Sequence, residues 1–153
     1  MRYGSFPYIA YLDGDEKIIN QYIEGIYNTI LIKDVAARER INDVTLLENI
    51  LKTLASSIGS PISVKKISDT LISAGRKVSV NTVEAYLRAL TNSYIIYKVS
   101  RYDIKGRQYL KTLGKYYFVD SGIRNLLISQ SASNLGHLLE NIVYLELLRR
   151  YSR

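Results

Sequence analysis

At Tyr94 the hydrophobic period of this chain changes from that of a helix to that of a strand. Upstream, Val44, Leu47, Ile50, Leu51, Leu54 and Ile58 recur at helical three-and-four spacing, opened by Asp43 as an N-cap and closed at Gly59. Ser60-Pro61 breaks the chain. Ser63 then caps a second stripe, whose inward residues are Val64, Ile67, Leu71 and Ile72, and Ala74-Gly75 ends it. A third stripe places Val80, Val83, Leu87 and Leu90 on one face. Two residues compete to cap it: Ser79, with Thr82 three positions on, and Asn81, whose Glu84 completes a capping box. From Tyr94 to Tyr102 the residues are β-branched and aromatic, with Ile95, Tyr97 and Val99 on one face. Asp103 to Arg107 reads as a turn, and Lys115 to Val119 as the returning strand.

Three helices followed by a two-stranded ribbon is the element order of a winged helix-turn-helix, here residues 43–120. The short Ala74–Val78 connection, with its glycine, suits the sharp turn inside that motif. The expected fold class is therefore mainly α with a small β-hairpin (α+β), a winged helix-turn-helix flanked by N- and C-terminal helices. A generic small α+β domain is the plainer reading of the same pattern. Residues 1–42 form a lead-in and a linker helix. Met1 to Gly14 shows no helical period, whereas Ile18, Ile19, Tyr22, Ile23, Ile26, Tyr27, Ile30 and Leu31 form a wide apolar stripe running to about Arg40. Residues 121–153 hold a short helix to Ile128, a polar loop and a helix from Leu135 to Arg150 that is apolar around most of its circumference. Such a helix expects burial on several sides, so the chain reads as a fragment whose C-terminal domain is truncated. The apolar faces of the 16–40 and 135–150 helices are expected to pair with each other or, in a homodimer, with a second chain.

Charge separates the same regions. Residues 1–50 carry five Lys or Arg against eight Asp or Glu, and the remaining residues sixteen against six, so the net charge runs from −3 to +10. A basic domain behind an acidic lead-in suits a polyanionic partner, although a soluble domain can be basic without one. The absence of cysteine excludes disulfides, thiol nucleophiles and thiolate metal sites, and the single histidine, His137, excludes any site that needs two imidazoles. No apolar run approaches a membrane span and no signal-peptide core follows Met1, so the expectation is a cytoplasmic protein without a membrane partner.

In a winged helix the second helix of the motif enters the major groove. The side chains turned away from the Val80/Val83/Leu87/Leu90 face are Asn81, Thr82, Glu84, Ala85 and Arg88. Asn can read adenine, Arg can read guanine and Thr can touch a thymine methyl. Helix capping accounts equally well for Ser79, Asn81 and Thr82. Between Tyr94 and Phe118 lie Lys98, Arg101, Lys105, Arg107, Lys111 and Lys115 against Asp103 alone, a local +5, with Tyr97, Tyr102, Tyr109, Tyr116 and Tyr117 interleaved. Five phosphate contacts from this ribbon would weaken binding roughly a few hundred-fold between about 50 and 200 mM salt. Lysines can instead serve only to block strand pairing at a solvated edge. The candidate DNA-binding set is Ser79, Asn81, Thr82, Arg88, Arg101, Lys105, Arg107 and Lys111.

Catalytic signals are weak. No Gly-rich phosphate loop ending in Lys-Ser/Thr, no paired-histidine zinc motif and no nucleophile elbow is present. His137 and Glu140 lie one helical turn apart, a spacing more common for surface contacts than for ligand sets, and Glu140 and Glu146 do not share a face. No catalytic residue, metal or cofactor is assigned.

Several stretches together resemble the C-terminal region of a prokaryotic AAA+ ATPase family. Tyr22 to Ile30 with Lys33-Asp34-Val35 is similar to its linker helix. Lys65 to Ser68, Asn81-Thr82-Val83 with Tyr86-Leu87, and Arg101 to Gly106 resemble its winged-helix portion. Lys115 to Asn125 and Gly136 to Tyr144 resemble the segment on the C-terminal side of that winged helix, and are the most specific stretches. The resemblance covers nearly the whole chain. It implies an ATPase core upstream and a restriction-nuclease-like domain of unknown function downstream, in which Glu140 occupies the position of a glutamate on the opening helix. The other carboxylates of that site would lie beyond Arg153, so Glu140 is expected to mark a vestigial or incomplete nuclease position.

The expected function is non-catalytic contact with duplex DNA through the recognition helix and basic wing, delivering an ATPase to DNA in the intact protein. The alternative is a protein-interaction or regulatory winged-helix module that docks on the ATPase core or on another subunit. The recognition face favours the alternative, because it carries Arg88 beside Glu84 and no dense Lys/Arg cluster. A nuclease would need the downstream segment and a divalent metal.

Overall fold

The computed structural model of the chain describes residues 2–100, 113–128 and 135–151. These are mainly helical, with one two-stranded antiparallel ribbon. A 3-10 turn, Pro7–Tyr11, breaks the expected irregular lead-in, because Pro7 at its start fixes φ near the helical value. Helix α1 (Glu16–Ile26) begins at Asp15, whose carboxylate accepts from the amides of Lys17 and Ile18. The single helix expected to Arg40 is instead three segments: α1, a π-helical stretch Tyr27–Asp34, and α2 (Val35–Arg38). Ile19, Ile23, Tyr27 and Val35 carry the buried face through all three.

Helices α3 (Val44–Ser56), α4 (Val64–Ser73) and α5 (Val80–Asn92) pack against one another. Asp43 and Ser63 cap the first two, accepting from Leu46 N and Lys66 N. Leu47, Ile50, Leu51, Leu54, Ile67, Leu71, Val83, Leu87 and Leu90 form the buried centre of this cluster. Two residues expected to face inward do not: Ile72 is 51% exposed and Val80 40%. Each sits at the edge of its stripe, where the wider apolar face extends past the neighbouring helix.

The ribbon pairs β1 (Ile96–Val99) with β2 (Lys115–Phe118), setting Ile96 opposite Phe118, Tyr97 opposite Tyr117, Lys98 opposite Tyr116 and Val99 opposite Lys115. Strand β1 starts later than expected because Tyr94 takes a left-handed φ of 56° and closes α5. Ile62, between α3 and α4, makes an isolated antiparallel bridge with Gly114.

Asp120 caps α6 (Ser121–Leu127), which packs against α1, α3 and α7 (Leu135–Tyr151). The Asp120 carboxylate also accepts from Ser5 N and Ser5 Oγ, fastening the lead-in to the C-terminal half of the chain. Arg124 is buried, donating to the Ala55 carbonyl at the end of α3 and to Asn125, with burial holding its pKa below the usual value. Only Asn141 of α7 is fully buried. The expected burial on several sides does not occur, and Leu135, Leu139, Val143, Leu147 and Tyr151, spaced by four, stay exposed. No helix among the described residues is long and apolar enough to cross a membrane.

Candidate nucleic-acid interface

The outward face of α5 is set by the turn before it. Gly75 takes a φ of +87°, a conformation that disfavours side chains. Its N–H donates to Ile72 O and that of Arg76 to Leu71 O, which satisfies the last carbonyls of α4 in a Schellman arrangement. Arg76 then pairs with Asp43 Oδ2 at 3.2 Å, and buried Ser68 donates to Val78 O at 3.2 Å. Tyr86 Oη reaches the Asp43 carbonyl at 3.4 Å. These contacts lock α5 against α3 and α4.

The two candidate caps are now separated. Ser79 Oγ accepts from Thr82 N at 3.0 Å and lies 2.8 Å from Thr82 Oγ1, so Ser79 is the cap and Thr82 its half-buried partner. The Asn81 side chain makes no hydrogen bond among the described residues and is exposed, as are Glu84, Ala85 and Arg88. Asn81 and Arg88 are thus the sequence-selected pair on α5 that remain open. Lys77, which leads into the helix, and Lys98 on β1 are also exposed and form no ion pair among the described residues. Arg101, Lys105, Arg107 and Lys111 lie outside the described residues.

The base of the ribbon differs from the sequence expectation in one respect. Tyr116 and Tyr117, expected among the aromatics interleaved with the wing cations, are buried, and Tyr97 is half-buried. The cause is cover on both faces of the ribbon. Tyr144 of α7 stacks on Tyr117 with ring centres 4.1 Å apart and planes 13° apart, and sits 6.0 Å from Tyr97. The opposite face joins the core beside α5.

Lys115, counted among the wing cations, is likewise engaged. Its Nζ donates to Glu140 Oε1 at 2.9 Å, and Tyr117 Oη donates to the same oxygen at 2.8 Å. Burial pushes the Glu140 pKa up, but the hydrogen bonds from Lys115 and Tyr117 and the charges of Lys115 and His137 outweigh it, holding the carboxyl below the ordinary range. Burial, the hydrogen bond to Glu140 and its charge push Tyr117 well up. The Glu140 carboxylate also crowds Gly59, whose φ of +71° and missing Cβ leave the room it occupies. Glu140 is therefore a strut between α7, β2 and the turn after α3. Among the described residues no group of three or more acidic or imidazole side chains is placed to hold a metal.

Sequence reasoning counted Lys98 among the wing cations but left it out of the candidate DNA-binding set, although its alternation with Tyr97 and Val99 marked it as the polar position of β1. It also missed the Ile62–Gly114 bridge, which a single residue cannot signal by periodicity.

The sequence pattern of a family described as "Domain of unknown function (DUF8612)" matches residues 1–134. An uncharacterized protein of Haemophilus influenzae is 38% identical over 149 residues, covering 97% of this chain and 37% of that protein. The uncharacterized protein MJ1544 of Methanocaldococcus jannaschii is 29% identical over 153 residues, covering 98% of this chain and 33% of that protein. The chain thus spans about a third of the length of these curated relatives. No solved structure matches it. Since the family pattern runs through all but the C-terminal helix of the chain, the protein belongs to the DUF8612 family.

Proposed function

We propose that residues 43–120 form a winged helix that contacts duplex DNA without catalysing a reaction on it. The bridge between Ile62 and Gly114 supports the fold reading, because a winged helix places a short strand between its first two helices and pairs it with the returning strand of the wing. One observation carries the functional reading. The face of α5 that would enter a major groove is open to solvent along Asn81, Glu84, Ala85 and Arg88, and exposed Lys77 and Lys98 flank it without acidic partners among the described residues. The +10 charge of residues 51–153 supports it further. In a longer protein of the kind the sequence resembles, this domain would deliver an ATPase to DNA.

Retention of a labelled random duplex, followed by fluorescence anisotropy between about 50 and 200 mM salt, tests this reading. Binding at low salt that weakens steeply with salt is expected, and reversing the charges of Lys105 and Arg107 should reduce it. Absence of binding at the lowest salt would overturn the proposal.

A second reading, docking on protein, is favoured by the exposed stripe Leu135, Leu139, Val143 and Leu147 of α7. Strict monomer behaviour in light scattering at high concentration would count against self-association through that stripe.

A further inference from the structure

A groove of about 260 Å³ runs between α5 and the base of the ribbon, and Glu84, Arg88, Thr91, Lys98 and Tyr116 line it. Its polar groups are unequally supplied with partners. Thr91 Oγ1 donates to the Leu87 carbonyl at 2.8 Å. Arg88 and Lys98 form no ion pair, and the Tyr116 hydroxyl no hydrogen bond, among the described residues. Tyr116 is only 3% exposed, so its ring belongs to the core. Burial and the Glu84 carboxylate raise its pKa, which keeps the hydroxyl protonated as a donor at neutral pH. Tyr116 and Glu84 line the same groove. Unlike Tyr3 Oη, Ser93 Oγ and Arg124 Nη2, the Tyr116 hydroxyl is not fully enclosed, so it is free to donate to a ligand.

We propose that this groove is a seat for one backbone phosphodiester of duplex DNA, held by Arg88, Lys98 and the Tyr116 hydroxyl. The inference rests on the DNA-binding reading and gives Arg88 a different task, neutralising phosphate instead of reading a base. The guanidinium fork suits the two non-bridging oxygens, and the ammonium supplies a second, point-like contact. Two cations against Glu84 leave the seat with one net positive charge. That matches the single negative charge of a diester better than the two of a phosphate monoester. The register that sets Lys98 opposite Tyr116 brings two of the three donors to the same level of the ribbon.

Anisotropy titrations of a labelled random duplex with the full chain, repeated from about 50 to 200 mM salt, test the seat. Replacing Arg88 and Lys98 together by Gln should lower the slope of log affinity against log salt by about 0.9, the share of one phosphate, and weaken binding about tenfold at the low end. Each single variant, Arg88→Gln or Lys98→Gln, should take part of that change. Tyr116→Phe keeps the ring, so it should weaken binding while leaving the slope and the thermal melt unchanged. Glu84→Gln should tighten binding. Wild-type retention with a slope that neither Arg88→Gln nor Lys98→Gln alters would overturn the seat and leave the DNA reading standing. No wild-type retention at all would overturn both. Displacement of the duplex by inorganic phosphate more effectively than by dimethyl phosphate, at equal ionic strength, would overturn the diester assignment.

Discussion

The side chain of Asn141 on α7 pairs with the backbone of Phe118 on β2 as a neighbouring strand would. Phe118 N donates to Asn141 Oδ1 at 2.8 Å, and Asn141 Nδ2 donates to the Phe118 carbonyl at 3.0 Å. Val119 N donates to Ile95 O, so the polar groups of Phe118 point away from β1 towards the outer edge of the ribbon. At the other end of that edge, the Gly114 carbonyl accepts from Ile62 N at 2.9 Å. An edge that would otherwise invite pairing with another chain is thereby occupied at both ends.

Removing this amide leaves two buried backbone groups without partners. Asn141→Ala is expected to destabilise the fold by about 2–4 kcal/mol. Asn141→Asp should cost more, since a carboxylate can accept from the Phe118 amide but repels its carbonyl. Urea unfolding followed by circular dichroism measures both, and a loss below about 1 kcal/mol for the alanine variant would contradict the pairing.

Glu140 makes stability depend on pH in a definite direction. Its folded pKa lies below the ordinary value, so its contribution is present above the unfolded glutamate pKa of about 4.3 and is lost as pH falls through the folded pKa. Lys115 and Glu140 are each about two-fifths exposed, so the ion pair itself is worth at most about 1 kcal/mol. Glu140→Gln keeps an acceptor for Tyr117 but lacks the charge. It should therefore be less stable than the wild type at neutral pH by at most about 1 kcal/mol and converge with it in acid, which flattens the acid limb of its melting-temperature profile. Acid limbs that run parallel in variant and wild type would refute the assignment.

The local signals of the sequence were reliable where one element determines its own shape. The caps Asp43 and Ser63, the turn at Gly75 and the inward rows of α3 all follow from spacing. The choice of Ser79 over Asn81 does not, because both residues satisfy the same capping pattern and only the position of Thr82 N separates them. The π-helical stretch was invisible, since over eight residues its period is hard to tell from that of an α-helix. What the sequence hid at the site is long-range. The alternation in β1 implied one covered face, whereas α7 returns from more than forty residues away to cover the other with Tyr144. The groove with Arg88, Lys98 and Tyr116 likewise exists only because of the strand register, which alternation leaves undetermined.

Asp120 serves two segments at once, accepting from Gly122 N and Ile123 N in α6 and from Ser5 N and Oγ in the lead-in. Asp120→Ala is expected to cost about 2–3 kcal/mol, as the loss of a cap adds to the loss of charge-assisted bonds. Amide exchange at Ser5 should rise more than exchange in α3. Uniform acceleration across both would show that Asp120 supports global stability only.

Tyr94 ends α5 in the left-handed region with φ 56°, and its side chain is largely exposed. Its N–H donates to Thr91 O and that of Ile95 to Leu90 O, the bonding that glycine usually completes. Tyr94→Gly is therefore expected to stabilise the chain or leave it unchanged, by up to about 1 kcal/mol, because relief of backbone strain exceeds the loss of one exposed side chain. A fall in the melting temperature of several degrees would mean that the Tyr94 ring makes a contact worth more than the strain.

Tyr27 opens the π-helical stretch with its ring in the core, and burial, then the charge of Glu48, pushes its pKa up to about 12. The folded chain holds this phenol neutral more firmly than the unfolded chain does. Its contribution is therefore complete below the unfolded tyrosine pKa of about 10 and is lost as pH rises through the folded value. Phe in its place preserves the ring and removes the ionisation, so Tyr27→Phe should retain its melting temperature further into alkali than the wild type. Glu48→Gln should shift the alkaline limb less, because burial is the larger of the two causes. Tyr3, Tyr86, Tyr116, Tyr117 and Tyr144 also have raised pKa values, so the comparison uses the difference between variant and wild type. Parallel loss of stability in wild type and Tyr27→Phe across that range would place the alkaline transition on those other tyrosines and remove Tyr27 from the account.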